Sequence, residues 1–129
     1  MIVVDSSVWI DSIRGASTPQ VTQLQRAFRA DEVLVGDLVL LEVLRGARHD
    51  RDAQRLERTL RQFAVVPMMS EAIAQEGARI YRTLRADGIT IGKTVDLIIA
   101  TFCLMGDHHL LHSDRDFTPI AERFGLRLA

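Results

Sequence analysis

Apolar residues along this chain form short β-branched runs alternating with longer segments in which they recur every three or four residues, the pattern of strands interleaved with helices. Ile2-Val3-Val4 is the first run, and it ends in Asp5-Ser6-Ser7, where a hydroxyl can cap a helix carrying Val8, Trp9, Ile10 and Ile13 and closing near Gly15. After Pro19, helical spacing of Val21, Leu24, Ala27 and Phe28 leads into a second strand, Val33-Leu34-Val35. Asp37 is expected to cap a third helix, Leu38 to about Ala47, apolar on nearly every side except at Glu42 and Arg45. A fourth helix begins near Asp50 with Ala53, Leu56, Leu60 and Phe63 on one face, and Phe63-Ala64-Val65-Val66 before Pro67 makes a third strand. Ser70 to Ala86 is a fifth helix with Ile73, Gly77, Ile80 and Leu84 inward; a loop, Asp87 to Lys93, follows. Thr94 opens a sixth helix that runs to Met105, His109-Leu110-Leu111-His112 is a fourth strand, and Ser113 to Phe117 turns. Leu126-Arg127-Leu128 is a candidate edge strand.

Short apolar strands separated by helices, with no hairpin signal such as Asn-Gly between them, imply right-handed crossovers and a mostly parallel sheet covered on both faces. The expected class is α/β, a three-layer α/β/α arrangement with a four- or five-stranded sheet. No repeat, linker or low-complexity stretch divides it, so residues 1–129 read as a single domain.

Composition narrows the partners. The lone Cys103 sits inside the run Leu97 to Met105 and reads as a core residue without a disulfide partner, which fits a reducing cytoplasm. That run is much shorter than the roughly 18 residues of a membrane span, and Met1-Ile2-Val3-Val4-Asp5 has the features of no signal peptide, so no membrane association is expected. Net charge is −1, so the whole protein is no polycation, and any surface for nucleic acid must be local. Of 16 cationic residues all but Lys93 are arginine, whose planar fork suits phosphate. Arg45, Arg48, Arg51, Arg55, Arg58 and Arg61 recur every three or four residues; this is either a stripe that contacts RNA or a solvated face balanced by Asp50, Asp52 and Glu57.

The chemistry is carried by acids. In an open parallel sheet, ligands gather at the carboxyl ends of the strands. Asp5 follows the first strand, Asp114 and Asp116 follow the fourth, Asp96 lies in the first turn of the sixth helix, and Glu42 is the sole carboxylate of an apolar helix after the second strand. Taken singly, Asp5 can serve as a helix cap, Asp96 as a charge favourable to a helix N-terminus, and Asp114 with Asp116 as a solvated turn. Together they suit a hard divalent cation, which offsets the repulsion among crowded carboxylates. Magnesium or manganese is expected rather than zinc, because no Cys or His set has zinc spacing.

Four segments carry a resemblance. Val4-Asp5-Ser6-Ser7-Val8-Trp9-Ile10, Leu41-Glu42-Val43-Leu44-Arg45-Gly46, Asp96-Leu97-Ile98-Ile99-Ala100 and Ser113-Asp114-Arg115-Asp116-Phe117 resemble, in order, the acidic motifs of PIN-domain nucleases, and in particular of VapC-type toxins of type II toxin–antitoxin systems. The resemblance implies a Mg2+- or Mn2+-dependent endoribonuclease, a homodimer, and inhibition by a cognate antitoxin protein. It also implies metal ligation by Asp5, Glu42, Asp96 and Asp114 as the catalytic set, with Asp116 supporting, and attack on the RNA phosphodiester by water activated in that pocket. Many members carry threonine where this chain has His112, so His112 is expected either to orient Asp114 or to approach substrate; Ser6 and Ser7 are expected to cap or to orient ligands.

Three rival readings remain. An aspartyl-phosphate phosphatase needs a second aspartate where position 7 is Ser, and a phosphoryl receiver needs a lysine late in the sheet, whereas the only one, Lys93, is at a helix entry. A non-catalytic interaction domain built on the apolar sixth helix is the third possibility, compatible with a nuclease that dimerises.

Overall fold

The computed structural model describes residues 1–129. Four strands, β1 (Ile2–Val4), β2 (Val33–Gly36), β3 (Ala64–Val66) and β4 (His109–Leu111), form one sheet in the order β3-β2-β1-β4 with every pair parallel. Seven helices flank it: α1 (Ser6–Ile13), α2 (Pro19–Arg29), α3 (Asp37–Arg45), α4 (Asp50–Leu60), α5 (Glu71–Ala86), α6 (Thr94–Gly106) and α7 (Thr118–Phe124). The expected three-layer α/β/α architecture is present, with four strands. Leu126-Arg127-Leu128 adds only a parallel bridge between Leu128 and Leu110 beside β4, closed by the Leu110 N–H donating to the Arg127 carbonyl and the Ala129 N–H donating to the Leu110 carbonyl.

The strand order has a consequence for function. Successive crossovers carry the chain from β1 outward through β2 to β3, and α5 with α6 then return it to the far side of β1 as β4. The order therefore reverses between β1 and β4, where the loops leaving the two strands diverge and open a crevice. The Asp5 backbone N–H, donating to the Leu111 carbonyl at 2.9 Å, holds the two strand ends together at that point.

One continuous core of 24 buried residues joins the layers, and the interior strands β1 and β2 contribute Val3, Val4, Val33, Leu34 and Val35 to it. Such runs, apolar on both faces, are what a parallel sheet covered on both sides demands. Each fully buried side chain of this size contributes about 1.5–3 kcal/mol relative to an exposed one. No helix is long and apolar enough to cross a membrane.

Local starts and stops differ from the expected ones in four places. Asp5, rather than a serine hydroxyl, caps α1, its side chain accepting from Ser7 N–H. Helix α3 begins at Asp37 with Gly36 as its cap, and the Asp37 carboxylate instead accepts from the Met68 backbone N–H at 3.1 Å, a tertiary bond that ties the start of α3 to the end of β3. Phe63 belongs to neither α4 nor β3; it packs with Trp9 and Phe28, ring centroids 5.9 and 4.6 Å away. The stretch expected to be only a turn, Ser113 to Phe117, contains a 3-10 turn at Arg115–Phe117 and leads into α7, a helix that the apolar spacing left unannounced. Its boundaries are nevertheless written in Pro119 at the helix start and Gly125, at φ 73°, at its end.

Gly36 is buried where β2 gives way to α3, and a methyl group there would collide with the Met68 thioether, itself buried. Gly36→Ala is expected to destabilise the protein by about 1–3 kcal/mol through this overpacking, read as a lower urea midpoint at unchanged slope.

Candidate functional site: a carboxylate cleft at the sheet's switch point

A cleft of about 460 Å³ opens at the carboxyl ends of β1 and β4, lined by Asp5, Glu42, Asp96 and Asp114 together with Ser6, Ser7, Arg45 and Lys93. Each acid arrives on a different element. Asp5 follows β1 directly; Glu42 reaches in from α3, one and a half turns from its start; Asp96 is the third residue of α6; Asp114 follows β4 and opens the 3-10 turn. Asp116 lies deeper in that turn, and ligand oxygens of Asp96, Asp114 and Asp116 all come within 4.8 Å of one another. All five acids singled out from the sequence thus converge, four on the cleft wall and Asp116 against two of them.

Three of these acids are nearly out of water: Asp5 and Asp96 are 3% exposed and Glu42 is 8% exposed. Acidic side chains are seldom buried so far without partners, and here the partners satisfy only part of each group. Asp5 Oδ2 accepts from the Ser7 hydroxyl at 2.6 Å and the Ser7 N–H at 3.1 Å, while its Oδ1 is buried with no hydrogen bond. Glu42 Oε1 accepts from the Ser6 hydroxyl at 3.2 Å, and Oε2 lies 3.8 Å from Arg45. Asp114 Oδ1 accepts from the Asp116 N–H at 2.9 Å, and its Oδ2 lies 3.7 Å from Lys93 Nζ. Asp96 Oδ2 is buried with no partner at all.

The electrostatics follow from this crowding. Burial pushes the Asp96 carboxyl up to about 7, with Asp5, Asp114 and Glu42 adding to the rise and Lys93 opposing it. Glu42 is raised too, by burial first and the Asp5 charge second, against the pull of Ser6, Arg45 and Lys93. Without a further positive charge, Asp96 keeps its proton to a higher pH than an isolated carboxyl would.

The supporting residues resolve into specific jobs. Ser6 and Ser7 each anchor one carboxylate, and Ser7 Oγ also accepts from the Ser113 N–H at 3.1 Å, bracing the β4 loop against β1. His112 accepts from the Asp114 N–H through Nδ1 at 3.1 Å and tilts against Phe117, so it orients the Asp114 loop. Burial lowers the His112 pKa despite Asp5 and Asp114, which favours the neutral imidazole this bond needs. The arginines divide: Arg45 leans on Glu42 in the cleft, Arg61 pairs with Glu57 at 3.3 Å, and Arg48, Arg51, Arg55 and Arg58 are exposed without an ion pair. Sequence reasoning treated Lys93 only as a lysine in the wrong place for a receiver domain, yet it lines the cleft. The available signal was its position: a lysine directly before a helix, where Ser, Thr, Asp or Asn is favoured.

A hard divalent cation fits this donor set. Two buried carboxylate oxygens, Asp5 Oδ1 and Asp96 Oδ2, lack any partner, all the acidic ligands are oxygen donors, and no cysteine or zinc-spaced histidine lines the cleft.

The geometry agrees with what the chain is similar to. It matches the profile of the PIN domain family over residues 2–123, and it belongs to that family. Among curated proteins, "VapC ribonuclease Mb1587" of Mycobacterium bovis and "Ribonuclease VapC11" of Mycobacterium tuberculosis are each 26% identical to it, covering 100% of this chain and 98% of the relative. Among solved structures, VapBC2 from Rickettsia felis, bound to a promoter DNA fragment, superposes with a TM-score of 0.80 at 18% identity over 100% of this chain and 98% of that one. FitAcB from Neisseria gonorrhoeae gives 0.74 at 18% identity, covering 95% and 94% of the two chains. The fold is shared with these structures.

The raised Asp96 pKa has a definite sign. Its unfolded value lies near 3.8 and its folded value near 7, so protonation favours the folded state, and this group's contribution is lost progressively as pH rises through that window. In chelator, Asp96→Asn is therefore expected to be more stable than wild type at pH 8 by up to about 4 kcal/mol, roughly three pH units at about 1.4 kcal/mol each, and nearly equal to it at pH 4. Saturating Mn2+ should reverse the order at pH 8, since only wild type retains the ligand; thermal melts at the two pH values check both signs.

Proposed function

We propose that residues 1–129 form one nuclease domain, a Mg2+- or Mn2+-dependent endoribonuclease that acts as the toxin of a toxin–antitoxin pair. The observation that carries this reading is the cleft with unpartnered carboxylate oxygens buried at the switch point of a parallel sheet. The similar proteins, ribonucleases and toxin–antitoxin complexes, suggest the substrate class and the partner.

In this reading Asp5, Glu42, Asp96 and Asp114 are the catalytic metal ligands, with Asp116 steadying Asp96 and Asp114. A bound Mg2+ or Mn2+ would supply an acidified water and charge stabilisation for the leaving oxygen. The chain's own task is orientation. Ser7 and Ser6 fix Asp5 and Glu42 through one oxygen each, and the Asp116 N–H does the same for Asp114, which leaves Asp5 Oδ1 without a hydrogen bond and Asp114 Oδ2 with only the Lys93 ammonium nearby. His112 holds the loop that carries Asp114. No protein nucleophile is required, and Ser6 and Ser7 have no base beside them, since their hydroxyls donate to carboxylates. The cleavage product is expected to bear a 5′-phosphate and a 3′-hydroxyl.

Arg48, Arg51 and Arg55 are the proposed path for the RNA backbone leading to Arg45 at the cleft. Their guanidinium groups are free of intramolecular ion pairs, unlike Arg79, which is committed to Glu76 at 2.5 Å. A homodimer is supported by a separate apolar groove of about 390 Å³ between α5 and α6, lined by Ile73, Tyr81, Leu97 and Ile98. An antitoxin protein is the second proposed partner. The medium proposed for all of this is the cytoplasm.

The decisive experiment incubates purified protein with total RNA in Mn2+ or in chelator and maps the ends produced. Wild type is expected to cut only with metal, and Asp5→Asn to lose at least about a hundredfold in rate while remaining folded, as an electrostatic or ligand contribution of a few kcal/mol would dictate; cleavage by a folded Asp5→Asn protein, or in chelator, ends the proposal. In the same assay the combined Arg48→Ala, Arg51→Ala and Arg55→Ala variant should raise KM with little change in kcat, and an unchanged KM removes those arginines from the RNA path. Light scattering should give twice the 14.5 kDa chain mass.

A further inference from the structure

Lys93 is the chain's only lysine, and its position is unfavourable by every local rule. It is the N-cap residue of α6 and makes no side-chain cap bond. Its charge lies at the positive end of that helix's dipole, where cations are disfavoured. Within α6 only Asp96 offsets that placement, and the rest of the compensation comes from the cleft: the ammonium lies 3.7 Å from Asp114 Oδ2 and lines the same cavity as Asp5, Glu42 and Asp96.

The contact itself is loose. A direct charge-assisted bond between an ammonium and a carboxylate is about 2.7–2.9 Å long, and the Lys93 side chain is 62% exposed with no other ion-pair partner. Exposed pairs of this kind contribute about 0–1 kcal/mol, so the ammonium is held near Asp114 and is easily exchanged to another anion. The charges around it define which anion that is. Four carboxylates face two cations in the cleft, Lys93 and Arg45, and Arg45 lies 3.8 Å from the buried Glu42 on its own helix. An RNA phosphate approaching such a wall is repelled by the acids unless a mobile positive charge meets it at the mouth. Asp5 and Asp96, whose buried oxygens lack partners, would with Asp114 hold a divalent ion, and its charge would weaken the hold of Asp114 on the Lys93 ammonium.

We propose that Lys93 is a substrate-contacting residue: its ammonium moves from Asp114 to a phosphate of the RNA when a divalent cation occupies the carboxylate cleft. The inference rests on the nuclease reading and adds to it a phosphate contact outside the acidic set. It distinguishes Lys93 from a structural counter-ion, which would hold the acids together and touch no RNA.

The test uses a fluorescein-labelled single-stranded oligoribonucleotide in Ca2+ at several KCl concentrations, with wild type, Lys93→Met and Lys93→Arg, and a separate Mn2+ titration of each protein without RNA. Lys93 is exposed, so neither substitution disturbs the core. Losing one phosphate contact should make the slope of log affinity against log salt shallower by about 0.7 in Lys93→Met, with Lys93→Arg restoring the wild-type slope. Mn2+ affinity of Lys93→Met should equal or exceed that of wild type, because a competing charge is gone. An unchanged salt slope, or weaker Mn2+ binding in Lys93→Met, overturns the inference while leaving the nuclease reading intact. Wild-type protein that takes up neither Mn2+ nor the oligonucleotide overturns both.

Discussion

Repulsion among carboxylates that have been removed from water is the constraint to which the rest of the site answers. Two unit charges 4 Å apart interact by about 4 kcal/mol at the effective dielectric of a protein's outer layers, and Asp5, Glu42 and Asp96 are all less than one-tenth exposed. The fold sustains this because neutral donors take up single oxygens: the Ser6 and Ser7 hydroxyls and the Ser7 and Asp116 backbone N–H groups. Those donors leave Asp5 Oδ1 and Asp96 Oδ2 buried without a hydrogen bond, and burial first, then the neighbouring carboxylates, raises the Asp96 and Glu42 carboxyls. A site held in this condition is preorganised for a small doubly charged ion and poorly suited to much else.

The sheet topology is what brings such distant residues together. With β4 placed beside β1 across the switch point, Asp5 and Asp114, more than a hundred residues apart, become neighbours at two adjacent strand ends. Ser7 binds both sides of that junction, donating to Asp5 and accepting from Ser113. Helix α3 is aimed by the buried Gly36 and by the Asp37 bond to Met68, which place Glu42 over the cleft. Helix α6 supplies both Asp96 and Lys93 from its first turn, so one element carries an acid and the cation that offsets it.

With a net charge of −1 the chain is no polycation, and its positive residues divide between those bound to acids and those left free. Arg79, Arg123 and Arg127 are tied to Glu76, Asp87 and Asp107 on the surface, and Arg85 lies over the Tyr81 ring. Arg48, Arg51, Arg55 and Arg58 of the α3–α4 region are exposed without an ion pair. In the cleft itself Asp5, Glu42 and Asp96 are buried, while its two cations, Arg45 and Lys93, are exposed.

The class of fold and the identity of the five acids were legible in the amino-acid order, because both depend on local facts. A strand covered on both faces must be apolar throughout, a helix must repeat every three to four residues, and a lone carboxylate such as Glu42 in an apolar helix needs a reason to be there. Boundaries set by tertiary bonds were not legible: Asp37 looked like a cap, but its oxygen is claimed by a backbone N–H 31 residues onward. Nor was α7, whose seven residues are too few to display a period and whose apolar Ile120 only finds its place against the finished core. The same limit applies to Lys93 and His112. Which carboxylate oxygen stays unpartnered, and which cation stands beside it, is decided by distances between elements that no spacing along the chain encodes, so residue types were determined by the sequence and their chemical assignments by the packed structure alone.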